Sequence, residues 1–418
     1  MEHNRRLFLK SSVAAGALLG LDWKSAFAAP GPHTYKRDGK ADYVKTYDIL
    51  VAGAGIAGVA AAVAAARAGA KVGLLEKTIQ PGGLSTIGLA NWFTPLDNGK
   101  GKQVTFGLAE EFMIASQKYG DVRINKEWQK KSERYDAEFN SIAFIYTLDE
   151  LLDEAGVEVH YDMLVCDPVI DNGVITGVEV ENTMGRGIIE AKCIIDATGT
   201  GEVAYRAGVP CLEAENEAKF SYIKVMGSHK RAEIERSVKI EAIPKELLLN
   251  KKYKGTHQDV SRFAIDTRQA LAKHYLTTLK EGNFARNKTV GMIPVMPQMD
   301  KIRSVRGVES LKFSAVNKNI DSSVGLVADW QDKGKVWSIP YGCILPEKVK
   351  GLVTAGRCIS VDDDAAWDII KVTHARAHTG QIAGLAAAIA VKLKTTPDAI
   401  DVKTVQSELS KNGVKYQL

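Results

Sequence analysis

The sequence predicts an α/β protein, a Rossmann-like dinucleotide-binding domain extended by a β-meander, with an α+β substrate domain inserted into it. Three observations carry that prediction. Residues 47–77 run strand, glycine turn, small-residue helix, strand and terminal acid, in that order. Four short strand signals follow at residues 157–195, around an Asp171-Asn172-Gly173 turn. After a stretch of different composition, an apolar strand and an alanine-rich helix return at residues 350–393.

The apolar run Ile49-Leu50-Val51-Ala52 suits a strand buried on both faces, because a central parallel strand has no solvent side to impose alternation. Gly53, Gly55 and Gly58, with Ala54 and Ala57 between them, fit GxGxxG. The first glycine permits the tight turn, the second lets a diphosphate reach the backbone, and the third brings helix and strand together. The helix expected over Ile56 to Ala68 is mostly alanine, and its free N–H groups would face phosphate oxygens. Gly69 stops it. Lys71 to Leu75 is the expected second strand, followed by Glu76 and Lys77. Glu76 lies 21 positions after Gly55, where an acid accepts ribose hydroxyls and disfavours a 2′-phosphate. The next loop, with Gly82, Gly83, Ser85 and Thr86, is small enough to wrap a diphosphate and the edge of a cofactor ring. The competing explanation is a glycine-rich turn in some other α/β protein, and the ordered set of features weighs against it.

The chain has 418 residues, enough for two structural units and a large core. A net charge of +5 is a mild excess of base, and no Lys/Arg run is dense enough to argue for nucleic acid. Residues 1–28 look like a twin-arginine export signal, with Asn4-Arg5-Arg6-Leu7-Phe8-Leu9-Lys10, a short apolar stretch from Ser11 to Leu21, and Ala26-Phe27-Ala28 as cleavage site. That stretch is too short for a membrane anchor, so the expectation is a protein exported folded to the periplasm, with no stable membrane span once the signal is removed. The five cysteines show no CxxC spacing, which leaves iron–sulfur, zinc-ribbon and covalent haem sites unsupported. No disulfide is expected.

Residues 105–119 and 136–155 have helical periodicity, and the meander strands follow, Val165 lying in the second. Residues 191–199 read as a buried strand ending in Ala197-Thr198-Gly199. From residue 211 the βα rhythm is lost. Residues 224–254 are rich in charge and read as a solvated face or excursion, whereas 259–281 are helical in character. The closing segments are Lys350 to Arg357, with Gly356 in its turn, and the helix His374 to Leu393.

Taken together, these stretches resemble an FAD-dependent oxidoreductase of the glutathione-reductase structural class, related to the fumarate reductase and succinate dehydrogenase flavoproteins. The matching residues are Gly53 to Gly58, Glu76, Gly82-Gly83, Asp196 to Gly199, Pro297-Gln298 with Arg303, Ile339-Pro340-Tyr341, Ala355-Gly356-Arg357 and Thr379 to Gly384. The resemblance implies FAD rather than NAD, and a Rossmann-like FAD-binding domain assembled from residues 44–90, 151–210 and 341–395. Residues 91–150 then form a helical cap, 211–340 the substrate domain and 396–418 a C-terminal tail. It also implies that the closing helix aims its N-terminus at the flavin, where reduction places negative charge. Lys371 stands where relatives often carry arginine and His374 where they often carry proline, which leaves room for a different substrate chemistry.

Flavin would carry the hard step, leaving the protein to supply orientation, charge and a proton path. Lys371, His374 and Arg376 are the polar groups nearest the start of the closing helix, and Lys371 and His374 are the catalytic candidates there, with Arg303 and Tyr341 added by the resemblance. A solvent-facing helix terminus, or a domain-interface ion pair for Arg303, is the plainer explanation for each. Asp363, in an acidic run after the AGR turn, is a candidate for the ribityl hydroxyls. His374 and His378 have a metal-ligand spacing but no HExxH glutamate and no third ligand, so no metal is expected. The leading expectation is an exported enzyme passing a hydride between a small organic substrate and flavin N5, with an external donor or acceptor: a protein, a quinone or oxygen. A flavoprotein isomerase, lyase or hydratase without net redox turnover, and a non-catalytic FAD-fold binding protein, remain open alternatives.

Overall fold

The computed structural model describes residues 41–120, 124, 127–129, 133–227, 236–248, 251–280 and 288–418, and the expected signal at 1–28 lies outside them. Residues 42–418 form a compact unit. The chain opens with β1 (Tyr43–Ala52), α1 (Ile56–Arg67) and β2 (Val72–Leu75), then a cap of β3 (Trp92–Phe93), α2 (Leu108–Ala115), β4 (Ala137–Glu138) and α3 (Ser141–Glu154). Asn140 caps α3, its side chain accepting from the backbone of Ile142 and Ala143. Next come β5 (Glu158–His160), β6 (Leu164–Asp171), β7 (Val174–Asn182), β8 (Gly185–Asp196) and α4 (Glu202–Arg206). Asn172 and Gly173 both have positive φ, 48° and 80°, the geometry of a type I′ hairpin turn.

The main sheet runs β5-β2-β1-β8-β7-β6, with β5, β2, β1 and β8 parallel. β1 extends further than its apolar run because its polar first half pairs with the start of β8, Tyr43 opposite Gly187. Both faces of β1 are covered. Ile49 and Val51 join one apolar cluster with α1, while Leu50 and Ala52 join another with Val178, Val180 and Ile189 of the meander. This two-sided burial is why the run shows no alternation.

The inserted region contains β9 (Cys211–Glu213), β10 (Asn216–Glu217), β11 (Ser221–Gly227), β12 (Arg236–Ala242), β13 (Lys252–Tyr253), α5 (His257–Lys280), β14 (Lys288–Met292) and β15 (Arg303–Val305). Its sheet β12-β11-β14 is antiparallel, and it has its own apolar cluster around Phe220, Tyr222, Tyr253, Phe263 and Leu271. The charged segment expected as a solvated face therefore supplies strands. Val238, Ile240 and Ala242 alternate with Lys239 and Glu241, a period of two that charge density concealed.

The chain returns through β16 (Ser323–Ala328), β17 (Val336–Pro340), β18 (Leu352–Thr354), α6 (Asp364–Ile370), α7 (Thr373–Leu393) and α8 (Val402–Lys411). β18 pairs with the C-terminal end of β8, Thr354 opposite Asp196. α7 is buried from Thr373 to Ala388 and packs along α1. The two helices meet through glycines: a Cβ on Gly380 would lie 2.2 Å from the carbonyl oxygen of Ala57, and one on Gly384 2.2 Å from that of Ala61. Among the described residues no helix is long and apolar enough to cross a membrane. The five cysteines carry free thiols.

Candidate active site

A cleft of about 360 Å³ crosses the C-terminal ends of the parallel strands. It is lined by Gly53, Gly55, Ile56 and Ala57 after β1, by Glu76, Lys77 and Thr78 after β2, and by Ala197 to Thr200 after β8. Ala355, Gly356 and Arg357 line it after β18, and Arg376 from α7. Strands β2, β1, β8 and β18 are neighbours in that order, so the cleft crosses four strand ends, about 14 Å at a spacing of about 4.8 Å. The loop Gly82–Ile87 lines it as well, joined by Val295, Met296, Pro297, Ile302 and Arg303 of the inserted region, with Val295 N–H donating to the Ile87 carbonyl at 3.1 Å. Open α/β sheets bind ligands at this edge.

The glycine turn is built as its spacing predicts. Gly53 has φ of 97°, and a Cβ on Gly58 would fall 1.8 Å from the Gly53 carbonyl oxygen, so both positions are confined to glycine. Gly55 differs. Its φ is −63°, and a Cβ there would meet nothing within 4 Å, because the position opens onto the cleft. The loop packs against this turn through Gly82, whose N–H donates to the Ala54 carbonyl at 2.7 Å. This cradle of bare backbone at the start of α1 fits a diphosphate.

Glu76 is 9 % exposed and fixed by three donors: Ala54 N–H at 2.8 Å, Thr78 N–H at 2.9 Å and Thr78 Oγ1 at 2.9 Å. A carboxylate offers about four acceptor positions, so roughly one is left for a ribose hydroxyl. Asp196 organises the turn after β8. Its carboxylate accepts from Thr198 N–H, Thr198 Oγ1 and Ala204 N–H, and burial raises its pKa.

The opposite end of the cleft is cationic. Arg357 donates to the carbonyls of Gly199 at 2.7 Å and Met299 at 2.9 Å, tying the β8 turn to the inserted region. Burial, then the neighbouring Arg376, lowers its pKa to about 10. Arg376 has a depressed pKa for the same first reason, with Asp300 opposing at 3.4 Å. Arg303 lies over the Tyr205 ring, 4.0 Å from its centroid, with Glu213 3.7 Å away.

Of the four catalytic candidates, only Arg303 lines this cleft. Lys371 caps the end of α6, pairs with Asp368 at 2.6 Å and faces a separate polar cavity with Lys301 and Asp364. His374 is fully buried against Thr94, its Nδ1 2.6 Å from Thr94 Oγ1, and burial pushes its pKa down to about 3. Helical geometry accounts for this placement, since two residues along α7 turn a side chain about 200°, so Arg376 and His374 face opposite ways. Tyr341 is spent on a hydrogen bond to the Pro397 carbonyl at 2.8 Å, and burial raises its pKa. These three side chains therefore lie outside the lining of this cleft.

Among the cofactor candidates, Gly53, Gly55, Ala57, Glu76, Lys77, Gly82, Gly83, Ala197, Thr198, Gly199, Gly356 and Arg357 line the cleft. Ala54 and Gly58 shape the turn from behind. Thr86 is buried and donates to the Pro81 carbonyl at 2.6 Å, and Ser85 is buried with no hydrogen-bond partner for its hydroxyl among the described residues. Val165 belongs to the apolar cluster beneath the meander, and Asp363 is exposed and caps α6 by accepting from Ala366 N–H, so neither lines the cleft. Arg376 was not chosen from sequence, although it sits four residues before Gly380, on the α7 face that meets Ala57.

A four-strand edge with a glycine turn and a ribose-accepting acid defines a dinucleotide-binding enzyme of the α/β class. The chain belongs to the FAD dependent oxidoreductase family, whose sequence model matches residues 48–303 and 317–409. It is an FAD-dependent oxidoreductase. No curated protein matches it significantly. Solved structures that it is similar to include a geranylgeranyl bacteriochlorophyll reductase-like protein from Thermoplasma acidophilum, at 15% identity over 89% of this chain and 84% of that one, with a TM-score of 0.46. Another is p-nitrophenol 4-monooxygenase PnpA from Pseudomonas putida DLL-E4, at 12% identity over 89% and 84%, with a TM-score of 0.42.

Proposed function

We propose that this chain holds FAD extended along the cleft, with its adenosine end at Glu76 and its redox ring at Gly356, Arg357 and Arg376. There it exchanges a hydride between a small organic substrate and flavin N5. When bound, the flavin supplies the two-electron chemistry. Gly55 and the first N–H groups of α1 hold the diphosphate. Glu76 accepts a ribose hydroxyl, and Met296, Pro297 and Ile302 exclude water from the redox end. Arg303 orients the substrate at the same wall. The observation that carries this reading is the continuity of one cleft from Glu76 to Arg376.

Electrons leave to or arrive from an external partner, since no CxxC spacing supports a haem or cluster in this chain. The AGR and TGQ signatures support a place beside the fumarate reductase flavoproteins. Export by the twin-arginine route is supported by Arg5, Arg6 and Ala26-Phe27-Ala28, and cell fractionation tests it: Arg5→Lys with Arg6→Lys should retain the protein in the cytoplasm. The cofactor reading is tested by FAD stoichiometry and anaerobic reduction of the purified protein. One FAD per chain, reversibly bleached, supports it, and colourless protein that takes up no FAD refutes it.

A further inference from the structure

The cleft is asymmetric in charge. At the β2 end Lys77 stands beside Glu76, whereas at the β18 end Arg357, Arg376 and Arg303 converge from three separate segments. The carboxylate lining that end is Glu202, which accepts a hydrogen bond from Thr200 Oγ1 at 2.9 Å. Arg376 is 9 % exposed, its Nε has no hydrogen-bond partner among the described residues, and Asp300 approaches it only to 3.4 Å. His374 adds no cation here, because it is buried on the far side of α7 against Thr94. Two buried guanidinium groups with so little compensation hold a standing positive potential, which the fold maintains at a cost.

We propose that Arg376 sets the electron affinity of the bound cofactor by holding buried positive charge, which Asp300 offsets only in part, at the redox end of the cleft. The assignment rests on the FAD reading above, and on the strand order that puts Glu76, after β2, and Arg357, the neighbour of Arg376 after β18, at opposite ends. Two electrons and one proton delivered to an oxidised isoalloxazine leave one additional negative charge at that end. A buried, preorganised cation stabilises this charge far more than an exposed one would. Arg357 is less free to do so, because its donors are committed to Gly199 and Met299. Asp300, the group opposing Arg376, moderates the effect.

The test is the reduction potential of the bound FAD, measured by dye equilibration on holoprotein of known FAD content. Arg376→Gln should lower the ratio of reduced to oxidised cofactor at least tenfold at a fixed potential, which is about 30 mV for a two-electron couple. Arg376→Lys should stay near wild type, and Asp300→Asn should move the ratio the other way. Full FAD content with an unchanged ratio in Arg376→Gln overturns the proposal. Should that variant fail to fold or to hold FAD, Asp300→Asn decides: a rise in the ratio supports the assignment, and no change or a fall refutes it. Wild-type protein that takes up no FAD would instead overturn the cofactor reading beneath it.

Discussion

Gly55 separates holding a cofactor from holding the fold, so Gly55→Val is the sharpest perturbation available. The backbone there is extended, φ −63° and ψ 173°, which valine adopts without strain, and a Cβ would touch no atom within 4 Å. The cofactor-free protein should therefore lose little, within about 1 kcal/mol. The same side chain occupies the space through which a diphosphate reaches the N–H groups of α1. Losing two charge-assisted hydrogen bonds at roughly 1.5–3 kcal/mol each weakens FAD binding by roughly 3–6 kcal/mol, about a hundredfold or more. Gly58→Ala is the contrast, because its Cβ would fall 1.8 Å from the Gly53 carbonyl oxygen and should cost the fold roughly 3 kcal/mol. Urea unfolding of the apoprotein and fluorescence titration with FAD measure the two effects separately. The reasoning is refuted if Gly55→Val binds FAD as wild type does, or if it destabilises the apoprotein as much as Gly58→Ala.

Other outcomes follow from the same geometry. Gly380→Ala should destabilise the protein by roughly 3 kcal/mol, because its Cβ would meet the Ala57 carbonyl at 2.2 Å and part α7 from α1; thermal unfolding reads it. Tyr341→Phe should cost about 1 kcal/mol, from the lost bond to Pro397, with the FAD spectrum and affinity unchanged. Burial holds His374 and His378 below their ordinary value of 6.5, at about 3 and about 4. On acidification the unfolded chain binds protons first. Their contribution is therefore complete above about pH 6.5 and falls as pH drops toward 4, by up to about 1.4 kcal/mol per pH unit for each imidazole. His378→Leu should flatten that decline, as unfolding at about pH 7 and about pH 5 would show.

The cofactor half of the fold was legible because its signals are local. The glycines from Gly53 to Gly58, the alanines of α1 and the acid at Glu76 lie within 24 residues and answer to one ligand. The Asp171-Asn172-Gly173 turn likewise encodes its own hairpin. The other end of the cleft was less legible, since Arg376 comes from a segment distant from Met296 and Arg303 and meets them only after folding. Lys371 and His374 draw attention by their place in the chain, whereas helix phase sends Arg376 to the cleft and His374 into the core. The strand β12 was obscured by Lys239 and Glu241 on alternating positions, a pattern that composition alone assigns to solvent.

The most direct measurement is a crystal structure of the chain with FAD bound. A ribose hydroxyl on Glu76, the diphosphate over Gly55 and the isoalloxazine between Arg376 and the Val295–Pro297 wall is the predicted arrangement. FAD in the reverse direction, or bound away from the ends of β2, β1, β8 and β18, would contradict it.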